Sequence, residues 1–139
     1  MNLSVDFHGL TTTNRASALA AAITKTAPKW WLATISTMSE AAFKAGGVDA
    51  ATYPVLDIIL GKQKETLNGR GAYPNRYKIY TPEFMQALTA YTAAKGSVML
   101  TGAYVGSDIW KKEKPADEEI NFAKGVLGFE YRACRATQQ

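Results

Sequence analysis

Short apolar runs punctuate the chain and predict β-strands. Residues 55–60, with the sequence Val-Leu-Asp-Ile-Ile-Leu, form an almost continuous apolar run that ends at Gly61. Such a run is typical of a strand that is buried on both faces of a parallel sheet. Aromatic and branched residues, or alternating apolar and polar residues, predict further strands at residues 3–7, 30–35, 97–103 and 129–133.

Helical start and stop signals lie between these strands. Thr81 precedes Pro82 and Glu83, so a capping hydroxyl, a proline at the first helical position and an acid in the first turn favour a helix start. By similar signals, the predicted helices cover residues 14–26, 40–45, 82–95 and 117–126. Residues 62–80 contain many charges together with glycine and proline, and predict a long exposed loop.

The alternation of strands and helices indicates the fold class. Parallel strands joined by right-handed helical crossovers form a sheet with helices on both faces. We therefore expect an α/β fold of the three-layer, doubly wound type, with a mainly parallel sheet of about five strands. A chain of 139 residues, of which 47% are hydrophobic, is long enough for one sizeable core and short for two. The expectation is a single domain that spans residues 1–139.

Charge and cysteine content limit the classes of partner. The formal net charge is +4, which favours anionic ligands, although the basic clusters lack the aromatic interleaving of a nucleic-acid binder. No apolar stretch is long enough to span a membrane. Cys134 is the single cysteine, so the sequence predicts neither an intrachain disulfide nor a cysteine zinc site, and no metal or cofactor is expected. The basic residues concentrate in two clusters, which contain Lys62, Lys64, Arg70, Arg76 and Lys78, and Lys111, Lys112 and Lys114.

Three segments resemble a known family in their order and spacing: VLDIILGKQKET, YTPEFMQALTAYTAAKGSVMLTGAYVGSD and NFAKGVLGFEYRACRAT. They are similar to the domain found upstream of the golvesin-type module in secreted Bacteroidetes proteins that carry the name xanthan lyase. The resemblance implies a flavodoxin-like fold of the class I glutamine amidotransferase type. It also implies that the chain is a piece of a longer, multidomain protein, located outside the cell, at the cell surface or in the periplasm. The other domains of that protein and an acidic polysaccharide are then the expected partners.

The segment Gly102-Ala103-Tyr104-Val105-Gly106 has the outline of the turn that presents a catalytic nucleophile at the end of a strand. A glutamine amidotransferase would have cysteine at the central position. Tyr104 occupies it instead, and a phenol with a reference pKa of about 10 is a poor acyl acceptor. The sequence therefore argues against amidotransferase activity.

The residues that follow this turn allow two interpretations. Ser107 and Asp108 could act as nucleophile and orienting acid, but a relay would need the distant His8. In a uronate lyase, Tyr104 or His8 could move a proton while a cation neutralises the substrate carboxylate. Alternatively, Asp108 or Ser107 caps backbone amides of its own turn. No catalytic residue is assigned, and the weak candidates are Tyr104, Ser107, Asp108 and His8.

Ligands of open parallel sheets bind beyond the carboxyl ends of the strands. On that basis the candidate ligand-binding residues are Lys62, Gln63, Lys64, Tyr104 and Asp108. The leading hypothesis is a non-catalytic or accessory domain of a secreted, polysaccharide-associated protein that binds an acidic glycan. The alternative is a catalytic polysaccharide lyase or hydrolase domain that uses the loop 104–108, and the sequence leaves the question of enzymatic activity open.

Overall fold

In a computed structural model, the structure describes residues 2–6, 16–26, 35–46, 48–65 and 78–132. These ranges contain four strands and five helices, which alternate as far as the fourth strand and end with two successive helices. The strands are β1 (Asn2–Asp6), β2 (Ile35–Ser39), β3 (Val55–Gly61) and β4 (Ser97–Gly102). The helices are α1 (Ala16–Thr26), α2 (Glu40–Lys44), α3 (Pro82–Ala93), α4 (Ser107–Trp110) and α5 (Asp117–Gly125).

The four strands form one parallel sheet in the order β2-β1-β3-β4. Strand β3 pairs with β1 on one side and with β4 on the other, so that Asp57 lies opposite Ser4 and Met99. The β3–β4 register shifts between Ile59 and Gly61. The carboxyl ends of β3 and β4 therefore lie side by side, and the loops that leave them meet at one edge.

The core lies between one face of β3 and the helices α2, α3 and α5. Residues 56, 58 and 60 alternate along the strand and are at most 1% exposed, as expected for side chains that share one face of a sheet. Phe84 makes edge-on ring contacts with both Phe43 of α2 and Tyr80. Phe122 of α5 contacts Tyr80 in the same way. The aromatic rings thus join three helices to the central strand.

The predicted fold class is wrong. The described residues form a sheet of four strands, which is not the three-layer, doubly wound, flavodoxin-like sheet of about five strands. The predicted last strand, 129–133, is not formed at residues 129–132, and residue 133 lies outside the described residues. The rings of Phe129 and Tyr131 both pack on Trp110 of α4. Trp110 of α4 therefore provides the packing partner for these two aromatic side chains. They do not need to pair with β4 to be partly buried.

Several local predictions are confirmed. Strand β3 is buried at every position from residue 56 to residue 60, and it pairs with β4 in parallel. Helix α3 begins with Pro82 after the N-cap Thr81, whose hydroxyl accepts a hydrogen bond from the Phe84 N–H. Helix α2 ends before Gly46, which has a φ of 80° and so adopts the left-handed conformation that glycine favours.

Other local predictions need correction. The predicted strand 30–35 ends too early, because β2 continues as far as Ser39. Residues 30–34 lie outside the described residues. Helix α4 was not predicted. The segment 62–80 is not an exposed loop at its ends, because Gln63, Ile79 and Tyr80 are buried. Its apolar residues 79 and 80 belong to the core, and the charges around them concealed this in the sequence.

Candidate ligand-binding pocket

A pocket of about 280 Å³ lies at the carboxyl ends of β3 and β4. Residues 62–65 leave β3, and the turn 103–106 leaves β4 and leads directly into α4. Because the two strands are neighbours and parallel, both segments reach the same edge of the sheet. The pocket is lined by Lys64, Glu65, Tyr104, Ser107, Asp108 and Lys111.

The turn 102–106 lacks the backbone strain of a nucleophile turn. Among the described non-glycine residues, Lys95 alone has a positive φ, so Tyr104 adopts an ordinary conformation. The two glycines serve close packing. A Cβ atom on Gly102 would lie 2.8 Å from the Cβ of Leu60, and one on Gly106 would lie 2.6 Å from the ring of Tyr131. The glycine spacing that resembles a catalytic turn is therefore explained by contacts with neighbouring side chains.

Asp108 connects segments that are distant in sequence. One carboxylate oxygen accepts a hydrogen bond from the Glu65 N–H at 2.6 Å, and the other accepts one from the Ile79 N–H at 3.3 Å. The side chain is 6% exposed. Burial raises the pKa of this carboxyl, and the two backbone N–H groups act in the opposite direction. The expected cap within its own turn is not what Asp108 forms, since it joins the two ends of the segment 65–79.

Tyr80 fixes the turn from the other side. Its hydroxyl donates a hydrogen bond of 2.7 Å to the carbonyl of Val105, and its ring is fully buried. Burial, together with the nearby Asp108 and Glu119 carboxylates, raises the pKa of this phenol well above its usual value. Tyr80 therefore stays a neutral donor that holds the turn in place.

A cluster of charges adjoins the pocket through Glu65, which belongs to both. The Nζ atom of Lys112 is 2.7 Å from an oxygen of Glu65 and 2.7 Å from an oxygen of Glu119. Lys78 pairs with the other oxygen of Glu119, which is 2% exposed. Burial opposes the charge on Lys112, but the hydrogen bonds that it donates to the Glu119 and Glu65 carboxylates outweigh this effect and raise the pKa of the amine. The pairs keep these buried charges compensated, so Glu65 and Lys112 are engaged with each other.

Lys64 and Tyr104 form the outer part of the pocket. The Lys64 Nζ atom lies 5.0 Å from the centroid of the Tyr104 ring, a distance at which a cation is attracted to an aromatic face. Lys64 is exposed and Tyr104 is half-buried. Lys111 adds a second exposed lysine to the lining. The exposed ammonium groups of Lys64 and Lys111 are thus available to a ligand in solvent, with the half-buried ring of Tyr104 beside Lys64.

The structure brings together three of the five predicted ligand-binding residues. Lys64, Tyr104 and Asp108 line the pocket, whereas Lys62 is exposed outside its lining. Gln63 is 3% exposed and is absent from the lining. The binding role of these residues stays a prediction.

The candidates for catalysis divide in the same way. Tyr104, Ser107 and Asp108 line one pocket, whereas His8 lies outside the described residues, as does Cys134. Two further lining residues, Glu65 and Lys111, are not among the site residues predicted from the sequence. Lys111 belongs to a basic cluster visible in the sequence, but the contact between that cluster and residues 64–65 is tertiary.

Comparison of the chain with protein-family models, with curated proteins and with solved structures finds no match. None of the helices in the described ranges is long and apolar enough to cross a membrane. Within those same ranges, no group of three or more His, Cys, Asp or Glu side chains could hold a metal ion. The geometry of the pocket therefore carries the functional argument.

Proposed function

We propose that this chain is an accessory, non-catalytic domain of a secreted, polysaccharide-associated protein, and that it binds an acidic glycan at the carboxyl ends of β3 and β4. The observation that carries the proposal is the placement of Lys64 over the ring of Tyr104 in a pocket that also contains Lys111. A uronate presents one anionic carboxylate and one apolar face of a sugar ring. Lysines and the partly accessible ring of Tyr104 complement these two features.

The state of the acidic residues supports binding over catalysis. A general base needs a carboxylate that can reach a substrate proton. Both oxygens of Asp108 already accept backbone hydrogen bonds, and Glu65 is paired with Lys112. The remaining polar groups of the pocket are the amines of two lysines, the Tyr104 phenol and the Ser107 hydroxyl. These groups suit recognition of an anion. The resemblance to xanthan lyase proteins suggests the glycan class.

The glycan-binding prediction is tested by titration with an oligogalacturonate, followed by calorimetry, with a neutral cello-oligosaccharide of equal length as the ligand control. We expect binding of the acidic ligand that weakens as salt is added, because screening reduces the attraction between exposed charges. Lys64→Ala and Tyr104→Ala should each weaken binding by about tenfold, since each removes a charge-assisted or a stacking contact.

Lys62→Ala is the matched control, because Lys62 is an exposed lysine of the same segment that lies outside the pocket lining. It should change the affinity much less than Lys64→Ala. Equal losses in the two variants would indicate diffuse electrostatic attraction and would refute a site at this pocket. Growth of the ultraviolet absorbance of unsaturated uronates during the titration would instead establish the lyase alternative.

A further inference from the structure

The lining of the pocket at the ends of β3 and β4 carries no net formal charge. Lys64 and Lys111 contribute two positive charges, and Glu65 and Asp108 contribute two negative ones. A lining in which all four charges acted equally on a ligand would not prefer an anion to a cation. Binding of an anion therefore requires that groups outside the lining compensate the two carboxylates.

Backbone groups compensate Asp108. One of its oxygens accepts a hydrogen bond from the Glu65 N–H, and the other accepts one from the Ile79 N–H. The side chain is 6% exposed. The N–H dipoles direct partial positive charge at both oxygens, and they offset part of the negative charge that a ligand in the pocket meets.

Glu65 is compensated by a lysine that does not line the pocket. Its Oε2 atom is inaccessible to solvent and lies 2.7 Å from the Nζ atom of Lys112. Lys112 lines a neighbouring cavity of about 410 Å³, which shares Glu65 with the pocket. Glu113 and Lys114 also line that cavity, and they are exposed and of opposite charge. The ammonium group of Lys112 therefore reaches Glu65 from outside the pocket.

Lys78 keeps the positive charge of Lys112 from being cancelled by Glu119 alone. Lys112 donates a hydrogen bond of 2.7 Å to one oxygen of Glu119, and Lys78 pairs with the other oxygen. The raised pKa of Lys112 keeps its amine charged. The region then has a net charge of +1, from the four lysines at positions 64, 78, 111 and 112 and the three carboxylates at positions 65, 108 and 119.

We propose that Lys112 determines the charge selectivity of the pocket, because it neutralises Glu65 from outside the lining and leaves Lys64 and Lys111 to act on a ligand. This role rests on the proposed function, since it explains why a pocket with a neutral lining prefers an anion. Lys112 acts through Glu65 and not by contact with the ligand. Without Lys112, the Glu65 carboxylate would repel an anion beside Lys64, and the region would carry no net charge.

The role of Lys112 is tested by titration with an oligogalacturonate and with inorganic sulfate at constant ionic strength, followed by the amide chemical shifts of Lys64 and Tyr104. Lys112→Met should weaken the binding of both anions by about tenfold and reduce the dependence of the affinity on salt. Lys78→Met is the matched control, because it removes the same charge, but Lys78 contacts Glu119 and not Glu65. It should weaken binding by less than about threefold, since it leaves the contact between Lys112 and Glu65 in place.

The double variant that combines Lys112→Met with Glu65→Gln separates charge selectivity from a structural role. If Lys112 acts by neutralising Glu65, the removal of both charges should restore the affinity to within about threefold of the parent protein. A purely structural role of Lys112 predicts no recovery. If Lys112→Met lowers the melting temperature strongly, Lys112→Gln replaces it, since glutamine carries no charge but still donates a hydrogen bond to Glu65.

The two anions distinguish this proposal from the glycan proposal. Binding of sulfate without binding of oligogalacturonate, with the expected order of the variants, would refute the glycan proposal and support the role of Lys112. An unchanged affinity in Lys112→Met, an equal loss in Lys78→Met, or a double variant as weak as Lys112→Met would overturn the role of Lys112. A parent protein that binds neither anion would overturn both proposals.

Discussion

The two faces of β3 differ in how completely they are used. On one face, Leu56 and Ile58 are fully buried against a cluster of aromatic and aliphatic side chains from three helices. On the other face, Val55 is 38% exposed and Ile59 is 9% exposed, and between them lies a carboxylate, Asp57. Neither oxygen of Asp57 has a hydrogen-bond partner in the described part of the chain. One face of β3 is therefore completely buried in the core. The other face carries a buried carboxylate, Asp57, and a partly exposed apolar side chain, Val55.

A continuous apolar run therefore identifies a strand, but it does not reveal how tightly each face of that strand is packed. Burial of an unpaired carboxylate normally costs several kcal/mol, unless the group takes up a proton. Desolvation raises the pKa of Asp57 for this reason. The stabilising contacts of β3 thus come mainly from the face towards α2 and α3.

The largest expected effect is on the saturated face. Ile58→Ala should lower the free energy of unfolding by about 4 kcal/mol, because the side chain is fully buried and the surrounding rings cannot close the cavity. Urea unfolding followed by circular dichroism measures the change. A loss below 1 kcal/mol would contradict the assignment of this face as the core.

Ile59→Ala tests the other face with the same chemical change. Ile59 is buried but does not belong to the aromatic and aliphatic cluster, so we expect a smaller loss of about 2 kcal/mol. The same urea experiment gives the value. Losses that are equal at positions 58 and 59 would remove the asymmetry between the two faces.

Asp57→Asn should have the smallest effect and the opposite sign. The amide has the shape of the carboxylate but carries no charge, so we expect a gain of about 1 kcal/mol at neutral pH. The raised pKa means that the folded state binds the proton more tightly than the unfolded state. The carboxyl therefore costs nothing below the unfolded pKa near 3.8, and its cost grows as the pH rises through the folded pKa.

Melting curves of Asp57→Asn and the parent protein at several pH values check this sign. The advantage of the variant should be full at neutral pH and should shrink as the solution becomes more acidic. An advantage that is independent of pH would show that the effect does not arise from titration of Asp57. A loss of stability at neutral pH would show that the carboxylate has a favourable partner.

The sequence alone determined the local elements with strong signals. The apolar run at 55–60, the Thr81-Pro82 helix start and the alternation of strands and helices all depend on neighbouring residues, and each appears in the structure. It also identified Lys64, Tyr104 and Asp108 as candidate ligand-binding residues, because ligands of parallel sheets bind at strand ends. All three line the pocket in the structure. Chain direction and the carboxyl end of a strand can be inferred from the order of elements.

Tertiary structure decided what local patterns could not. The aromatic residues at 129 and 131 have the spacing of a strand, but their rings pack on Trp110, and residues 129–132 do not form the predicted fifth strand. The described residues form a sheet of four strands instead of the flavodoxin-like sheet. Asp108 lies near Tyr104 in sequence, yet its hydrogen bonds reach Glu65 and Ile79, which are 43 and 29 residues away. The sequence pattern records which side chains need burial or a partner. Packing of distant segments determines which partner each one finds, since those contacts depend on the whole chain and not on neighbouring residues.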